Sequence, residues 1–445
     1  MARKLSSSKK VLIITQCYPP HAGSGVQRPL FFSKYLSELG WKCCILTTGE
    51  DDYPLQDSNL KKHIHSTTRV TRVNNPNAGE KLDGWCIKTD KKISMAISKL
   101  PIIWRLGNTL SKSTRILFRP AVRLLAVPDT LISILPKFLW EGHKVIRKEK
   151  PDIIFATSPP PTTLITGLIL AKTHGLPWIA DLRDEWSISP HNSYPTKLYG
   201  WLDQKIERLT LLNANKIVTT TPRITKDTAQ QIDASPSLSC TITNGHNLDD
   251  FKKTVTNNNP QNQLNLLHSG VLPKGRSPES LIHSLKEIAE ERQINSQTLT
   301  LHFAGYVDPY KHVLKHQQIK IHGYLSHPDT LDLIHQSDVL VLIAGQNEKR
   351  SYAGKIFEYL AAGKPLLILC PSDSATFELF SEISPHIYLA DIADQETIKK
   401  HLLTLLNLSE KGRLPQFIKR PEANKYHRKQ QARELHKLML EVLTK

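Results

Sequence analysis

Glycine and lysine residues stand next to predicted strands and helices, where backbone amide groups can meet an anion. Gly23 and Gly25 follow the first apolar run of the chain, and Gly354 and Lys355 precede a predicted helix. Glycine tolerates positive φ and lets other atoms approach the backbone closely. Amides at a helix N-terminus carry partial positive charge, and a lysine adds to it. These positions predict contacts with phosphate or sugar oxygens, although residues 23 and 25 could also form a plain strand-to-helix turn.

Two carboxylates flank an arginine directly after another predicted strand. Asp181, Arg183 and Asp184 lie in the segment Asp-Leu-Arg-Asp-Glu-Trp at 181–186. Carboxylates around an arginine could orient the hydroxyl groups of an acceptor molecule and hold one another's charge state. The same residues could instead form a buried ion-pair cluster that fixes the loop. The sequence leaves both interpretations open.

Short apolar runs alternate with segments of helical periodicity along the chain. The predicted strands are 11–15, 43–47, 152–157, 178–181, 216–220, 264–268, 299–303, 319–322, 339–343 and 365–369. The predicted helices include 29–39, 162–173, 402–408 and 425–443. Alternating strands and helices predict parallel, doubly wound sheets. Such sheets bind ligands beyond the carboxyl ends of their strands, where the residues named above are placed.

The chain of 445 residues is longer than one hydrophobic core usually organises. We therefore predict an α/β fold with two doubly wound, Rossmann-like domains facing a central cleft. The N-terminal domain would span residues 1–243, and a polar linker would span 244–263. The second domain would span 264–424, and a C-terminal helix at 425–445 could cross back to the first domain.

The overall charge is strongly basic. The chain has 59 Lys+Arg against 41 Asp+Glu, a formal net charge of +18, which favours phosphate-rich partners. No zinc-finger spacing, RNA-recognition signature or basic tail is present, so nucleic acid is not the expected partner. The 6 cysteines are scattered without metal-site or disulfide spacing, which favours a reducing, cytoplasmic setting. No apolar run approaches the roughly 20 residues that span a bilayer.

One segment, residues 91–128, departs from the alternating pattern. It contains basic residues but no Asp or Glu, interleaved with apolar side chains and Trp104. This composition is typical of an element that binds the surface of an anionic membrane. The alternative is a pair of helices that pack on the first domain. With the membrane interpretation, the protein would be peripheral at the inner face of the plasma membrane.

Four sequence blocks closely resemble glycosyltransferase family 4 (group 1), retaining enzymes with the B-type two-domain fold. They are residues 15–28, 156–161, 181–186 and 354–365. The resemblance runs from about residue 10 to the C-terminal helix and is strongest at 354–365. It implies transfer of a sugar from a nucleoside-diphosphate sugar with retention of configuration. The leaving diphosphate would help to deprotonate the acceptor, so neither a protein nucleophile nor a metal is implied.

The resemblance also implies residues that hold the donor diphosphate. Family members usually carry an arginine after the glycine that corresponds to Gly270, and a lysine five residues further on. Here those positions hold Val271 and Arg276, and Lys274 lies nearby. A diphosphate needs cationic partners both to bind and to leave. Gly270, Arg276 and Lys274 are therefore assigned to the donor.

The family's pair of glutamates, with seven residues between them, is half present. Glu358 matches the glutamate that accepts hydrogen bonds from the ribose hydroxyls, while Arg350 occupies the position of the sugar-binding glutamate. Tyr324 lies in the segment that resembles the nucleobase loop. With Gly354 and Lys355, these residues complete the predicted donor site. The family's catalytic histidine is missing, and Asp181, Arg183 and Asp184 stand in its place as catalytic candidates.

The sequence thus predicts a hexosyltransferase that needs no cofactor or metal. It would move a hexose-type sugar to a membrane-associated, lipid-linked or saccharide acceptor, in cell-surface polysaccharide biosynthesis. Two alternatives stay open, the first because of Val271, Arg350 and the missing histidine, and the second because such enzymes can use the same fold and a similar phosphate-binding cleft. One is a catalytically inactive sugar-binding partner in a glycosylation complex, and the other is a nucleotide-sugar epimerase of the same fold.

Overall fold

The structure is a computed structural model, and it describes residues 8–52, 55–74, 127–190, 192, 194, 196–247, 263–383 and 385–444. The predicted membrane segment lies outside the described residues except for positions 127 and 128, and so does most of the predicted linker. The chain divides into two compact units. The first unit comprises Met1–Thr219, Thr225–Ile242 and Ala432–Lys445, and the second comprises Thr220–Ile224 and Thr243–Gln431.

A parallel sheet of seven strands forms the centre of the first unit. The strands are β1 Lys10–Ile14, β2 Lys42–Thr48, β3 Arg69–Val73, β4 Ile153–Ser158, β5 Trp178–Leu182, β6 Lys216–Thr219 and β7 Ser239–Thr241. Their order is β3-β2-β1-β4-β5-β6-β7, and every neighbouring pair is parallel. The central strands are apolar along their length because helices cover both faces. The order reverses between β1 and β4, which makes that point the ligand-binding crevice of such a sheet.

Helices cover both faces of this sheet. In chain order, the first unit contains Ser24–Glu38, Leu135–Glu149, Thr162–His174, Lys197–Leu212 and most of Pro222–Ile232. One hydrophobic core includes Leu30 and Leu36, with Ala432, Leu435 and Met439 from the final helix. A second core, on the other face, includes Phe138, Leu170 and Leu211. The final helix, Arg428–Thr444, therefore packs into the first unit from Ala432 onward.

A parallel sheet of six strands forms the centre of the second unit. The strands are β8 Leu264–Ser269, β9 Leu299–Ala304, β10 Ile319–Gly323, β11 Val339–Ile343, β12 Leu366–Cys370 and β13 Ile387–Asp391. Their order is β10-β9-β8-β11-β12-β13, with all neighbours parallel. The order reverses between β8 and β11. The loops that follow these two strands are therefore expected to meet at a ligand site.

The helices of the second unit alternate with its strands. They are Glu279–Glu291, His327–Gln336, Ile356–Ala362, Ala375–Ser381 and Gln395–Glu410. Glu279–Glu291 and Gln395–Glu410 pack on one face through Leu285, Leu402 and Leu405. Ile356–Ala362 packs on the other face through Phe357 and Leu360. In the described parts of the chain, no helix combines the length and apolarity that a bilayer crossing requires.

The predicted α/β class with two doubly wound sheets is confirmed by these two all-parallel sheets. Three strands fall outside the sequence predictions: β3, β7 and β13, each at a sheet edge. Edge strands are half exposed, so they lack the continuous apolar run that identifies a central strand. The first helix also begins at Ser24 rather than at the predicted Pro29, which lies inside it.

Candidate functional site

In the second unit, the loops after β8 and β11 are joined by an ion pair. Arg276 lies after β8, and its Nε donates to both carboxylate oxygens of Glu348, which lies after β11, at 2.8 and 3.0 Å. The Gly345 amide also donates to Glu348 Oε2, at 3.2 Å. Because the sheet order reverses at these strands, the pair occupies the predicted ligand crevice. Glu348 therefore fixes the position of Arg276.

Arg276 keeps a binding edge available. All of its side-chain hydrogen bonds to the described residues use Nε, so Nη1 and Nη2 have no partner there. An arginine held in this way presents two N–H groups in a fixed geometry to phosphate oxygens. Lys274 is exposed and lies two residues earlier in the same loop. The structure thus distinguishes a positioned cation at Arg276 from a solvent-exposed one at Lys274.

Replacing Arg276 with alanine should weaken nucleoside-diphosphate binding roughly 10- to 100-fold, the range of one or two charge-assisted hydrogen bonds. The same change at Lys274 should weaken binding by less than about threefold, because an exposed ammonium is well screened. Isothermal titration calorimetry with the nucleoside diphosphate measures both dissociation constants. Equal losses at the two positions would contradict the distinction drawn from Glu348.

The loop backbone after β8 is closely packed. Gly270 has φ of 150°, and its amide donates to the Ala304 carbonyl at 2.8 Å. A Cβ at Gly305 would lie 2.0 Å from the Gly270 carbonyl oxygen, so only glycine fits there.

Buried His268 donates through Nδ1 to the Val341 carbonyl at 3.0 Å, and Nε2 has no partner among the described residues. Burial lowers the pKa of His268 to about 4, so the ring is neutral.

Lys355 and Glu358 form the second cluster of the predicted donor site. Lys355 precedes the helix Ile356–Ala362, and its Nζ lies 2.6 Å from Glu358 Oε2. Burial acts to raise the pKa of Glu358, but the charges of Lys355 and Arg428 outweigh it, and the net shift is downward. Glu358 is therefore ionised at neutral pH. Its Oε1 has no hydrogen-bond partner among the described residues and can accept from a ligand hydroxyl.

Two exposed tyrosines stack at the carboxyl ends of neighbouring strands. Tyr324 follows β10 and Tyr306 follows β9, and their ring centroids are 6.0 Å apart with an interplanar angle of 26°. Each ring is about half exposed. Exposed aromatic faces can stack on a nucleobase. Tyr306 was not identified from the sequence, because the signal appears only when the parallel pairing of β9 and β10 brings the two loops together.

The remaining predicted donor residues lie in the loop between β11 and the helix Ile356–Ala362. Arg350 is half buried and Gly354 is exposed. The structure thus places Arg276 and Glu348 together, Lys355 and Glu358 together, and Tyr324 beside Tyr306. It does not place Lys274 in any of these contacts.

In the first unit, Asp181 lies in a buried ion pair. Its carboxylate is fully buried at the end of β5 and accepts from Arg28 Nη2 at 2.7 Å and Nε at 3.0 Å. Thr157 Oγ1 also donates to it, at 2.6 Å. Arg28 comes from the helix after β1, and Thr157 from β4. The pair therefore joins three segments at the point where the order of this sheet reverses.

Arg183 binds backbone carbonyls. Its guanidinium donates to Ser158 at 2.9 Å, to Pro159 at 2.7 Å and to Gly25. The Gly25 carbonyl would normally accept from the amide four residues later, but that residue is Pro29, which has no N–H. Burial lowers the pKa of Arg183, although the charges of Asp184 and Asp181 oppose this shift. Arg183 thus replaces a missing helical hydrogen bond.

The two glycines after β1 have different roles. Gly23 has φ of 94° and precedes the helix Ser24–Glu38, in accord with the predicted positive φ. Gly25 is within that helix and has no positive φ, which corrects the expectation for this residue. A Cβ at Gly25 would lie 3.2 Å from Arg183 Nη1. A side chain at Gly25 would therefore crowd the Arg183 guanidinium, whereas the backbone conformation at this position suits any residue.

Asp184 is exposed, unlike Asp181 and Arg183. Trp186, further along the same loop, is buried, and its Nε1 donates to Asp203 at 2.8 Å. Glu207 lies one turn after Asp203 and accepts from the Ser187 hydroxyl. Burial raises the pKa of Asp203 and raises that of Glu207 to about 7. Trp186 is thus a core residue that anchors the loop to a pair of buried acids.

The raised pKa of Glu207 predicts a specific pH dependence of stability. An acid whose folded-state pKa is raised contributes stability below its unfolded value, near 4.5, and loses it as pH rises to about 7. Glu207→Gln should remove this pH-dependent loss of stability. The unfolding free energy of the variant minus that of wild type should therefore rise by about 3 kcal/mol between pH 4.5 and 7.5. Urea titrations at several pH values measure it. A difference that does not change with pH would contradict burial as the cause.

The chain is similar to known proteins in part of its sequence and in its fold. Residues 113–245 match the sequence model of a glycosyl transferase 4-like domain. The crystal structure of Anabaena Alr3699/HepE in complex with UDP is similar, with a TM-score of 0.61 and 14% identity. The similarity covers 97% of this chain and 100% of that chain. A search of curated proteins gives no match to this sequence.

Two further solved structures have the same fold. Sucrose-phosphate synthase from Thermosynechococcus elongatus gives a TM-score of 0.64 at 13% identity, over 98% of this chain and 99% of that one. A glycosyltransferase from Rickettsia africae ESF-5 gives 0.62 at 13% identity, with the same coverage. At these identities the similarity shows the fold, and it confirms the predicted B-type glycosyltransferase architecture of two Rossmann-like domains.

Proposed function

We propose that this chain, which has the B-type fold, is a family 4 glycosyltransferase, and more specifically a retaining hexosyltransferase with a nucleoside-diphosphate sugar donor. The proposal is supported by two charged side chains of the second unit, Arg276 and Glu358, each of which keeps groups available for a ligand. Arg276 is held by Glu348 through one edge only, and Glu358 is ionised with one oxygen available. A cation and a carboxylate of this kind suit the diphosphate and the ribose of one donor.

The proposal assigns each part of the donor to a described cluster. Arg276 binds the diphosphate, with Lys274 as a weaker partner, and Gly270 lets the backbone approach it. Glu358 accepts from the ribose hydroxyls, and Lys355 keeps it ionised. The stacked rings of Tyr306 and Tyr324 lie against the nucleobase. The complex of HepE with UDP supports a uridine nucleotide as the first donor to test.

Arg350 and Gly354 are proposed to contact the transferred sugar. Arg350 occupies the position at which family members carry a glutamate. An arginine donates where a glutamate accepts, so it suits a sugar with an additional acceptor, such as a carbonyl or carboxylate oxygen. This change concerns the identity of the sugar. The transferred sugar of this proposal is therefore a hexose that carries such an additional acceptor group.

The first unit is proposed to act on the acceptor. Asp181 and Arg183 hold the loop after β5, because both are buried in contacts with Arg28 and with backbone carbonyls. Asp184 is the exposed member of the catalytic trio and the one that can contact an acceptor hydroxyl. Asp184 is thus the catalytic residue of this proposal, and the other two are positioning residues.

The proposed mechanism is front-face transfer with retention and without a metal. Charge develops on the diphosphate oxygens as the bond to the sugar breaks, and Arg276 and Lys355 are proposed to stabilise it. The departing phosphate oxygen accepts the proton of the acceptor hydroxyl. The acceptor is proposed to be a lipid-linked or other membrane-associated saccharide, in surface polysaccharide assembly at the inner face of the plasma membrane.

Thermal-shift titration with uridine, guanosine, adenosine and thymidine diphosphate sugars tests the proposal. Selective stabilisation by one donor is expected, by about 2.7 kcal/mol at 100 times its dissociation constant. Glu358→Ala and Arg276→Ala proteins should lose the shift, and Glu290→Ala, a change at an exposed glutamate of the same unit, should retain it. A donor that binds but is neither hydrolysed nor transferred would favour the inactive sugar-binding partner, and epimerisation of the donor would favour the epimerase.

A further inference from the structure

The first unit carries a row of exposed apolar side chains on the helix Lys197–Leu212. Leu198, Trp201, Leu209 and Leu212 are all exposed, and Trp201 is 53% exposed. Their spacing of three to eight residues places them on one side of an α-helix, together with exposed Lys205. The opposite side carries buried Asp203 and Glu207. The helix therefore has an apolar side that the described residues of its own unit leave uncovered.

The helix Leu135–Glu149 has a matching exposed side. Trp140 is 64% exposed, and the other exposed residues near it include Lys137, Lys144 and Lys148. The helix Thr162–His174 contacts both of these helices, so all three form one layer on one face of the sheet. The exposed residues of the two outer helices thus lie on the outward side of one layer.

Each exposed tryptophan has a lysine over its ring. Lys144 Nζ is 5.1 Å from the Trp140 ring centroid, and Lys205 Nζ is 5.9 Å from that of Trp201. A tryptophan with an adjacent ammonium is suited to a membrane interface, where the ring enters the headgroup region and the ammonium meets lipid phosphate.

The charges of this layer favour an anionic partner. No acidic residue of Lys197–Leu212 is exposed, because Asp203 and Glu207 are buried. In Leu135–Glu149, Glu149 is buried and Glu141 is half buried and paired with Lys144 at 2.9 Å. Apart from the partly exposed Glu141, which is paired with Lys144, the exposed charges on these two helices are therefore all positive. A surface of leucine and tryptophan on which lysine outnumbers acidic residues matches the interface of an anionic bilayer.

We propose that the outward side of the helices Leu135–Glu149 and Lys197–Leu212 is the surface through which this protein binds an anionic membrane, with Trp140 and Trp201 as its anchors. This inference rests on the membrane-associated acceptor of the proposed function and names the surface that serves it. It is independent of residues 91–128, from which a membrane contact was expected on sequence grounds.

Vesicle co-sedimentation of the full-length protein tests the surface. The vesicles contain phosphatidylcholine alone or with added phosphatidylglycerol. Binding of wild type is expected only with the anionic lipid, and it should weaken as salt is raised. Trp140→Ala/Trp201→Ala and Lys144→Glu/Lys205→Glu should each weaken binding about 10-fold. Ile321→Ser, which changes an exposed apolar residue of the second unit, is the matched control and should not alter binding.

Each result of the vesicle experiment leads to a different conclusion about the surface. A loss of about threefold or more in both double variants, with unchanged unfolding midpoints, supports the surface. A smaller loss, or no binding of wild type to anionic vesicles, overturns it. A change in self-association without lipid, and none in vesicle binding, would assign the surface to a second copy of the chain. Donor binding is measured in parallel: its absence in wild type would count against the proposed function, whereas vesicle binding would still report on the surface.

Discussion

Glu358→Ala should weaken nucleoside-diphosphate sugar binding by about 100-fold, because two charge-assisted hydrogen bonds to the ribose are lost. The carboxylate is ionised at neutral pH, since the charges of Lys355 and Arg428 hold its pKa low despite burial. It is therefore a strong acceptor for the vicinal hydroxyls. The loss should appear in calorimetric titration as a higher dissociation constant, with the unfolding midpoint nearly unchanged.

Comparing a ribonucleotide with its 2′-deoxy counterpart tests the contact between Glu358 and the ribose more directly. Wild type should bind the ribonucleoside diphosphate about 10-fold more tightly than its 2′-deoxy counterpart, because one hydroxyl donor is missing in the latter. Glu358→Ala should bind the two with nearly equal affinity. Glu290→Ala, the exposed control, should discriminate as wild type does. If Glu358→Ala still prefers the ribonucleotide, the ribose is recognised by another group.

The sequence predicts the central strands well, and the physical reason is burial. Val339–Ile343 is wholly buried, and a strand covered on both faces must be continuously apolar. The edge strand Arg69–Val73 carries two arginines and is half exposed, so its composition resembles that of a loop. Pro29 is the other instructive case. A proline usually marks a helix start, but here Arg183 satisfies the Gly25 carbonyl and the helix begins earlier.

The sequence predicts which residues belong to the candidate site, but it does not predict which of the distant ones are in contact. Glu358 and Lys355 are three residues apart on one helical turn, so their contact follows from the sequence. Arg276 and Glu348 are 72 residues apart, and only the adjacency of β8 and β11 joins them. Tyr306 and Tyr324 meet for the same reason. The sequence identifies chemical groups, whereas strand order decides which groups act together.

Burial and long-range contacts separate the two interpretations of Asp181, Arg183 and Asp184. Asp181 lies in a fully buried pair with Arg28, which is 153 residues away in the chain, so the ion-pair interpretation describes its contacts. Asp184 is exposed and can act on a substrate. A buried carboxylate that is paired on both oxygens positions other groups, and its loss should be seen first in stability.

Asp181→Asn should lower the unfolding free energy of the first unit by about 3 to 5 kcal/mol, because it removes the buried carboxylate that pairs with the buried Arg28 charge. Asparagine keeps an acceptor for Thr157, so the loss reports on the ion pair. Urea unfolding followed by the fluorescence of Trp178 and Trp186, which are buried in the core of this unit, measures it. Lys61→Ala, which removes an exposed ion pair to Glu50, should cost less than about 1 kcal/mol.

A double-mutant cycle decides whether the loss belongs to the pair. Arg28→Met combined with Asp181→Asn should destabilise the unit by clearly less than the sum of the two single changes, because the buried charge that each single change leaves behind is absent from the double variant. Additive losses would mean that Arg28 and Asp181 stabilise the fold through separate contacts. If Asp181→Asn instead left stability unchanged while abolishing sugar transfer, Asp181 would be a catalytic residue and the assignment of that role to Asp184 would be wrong.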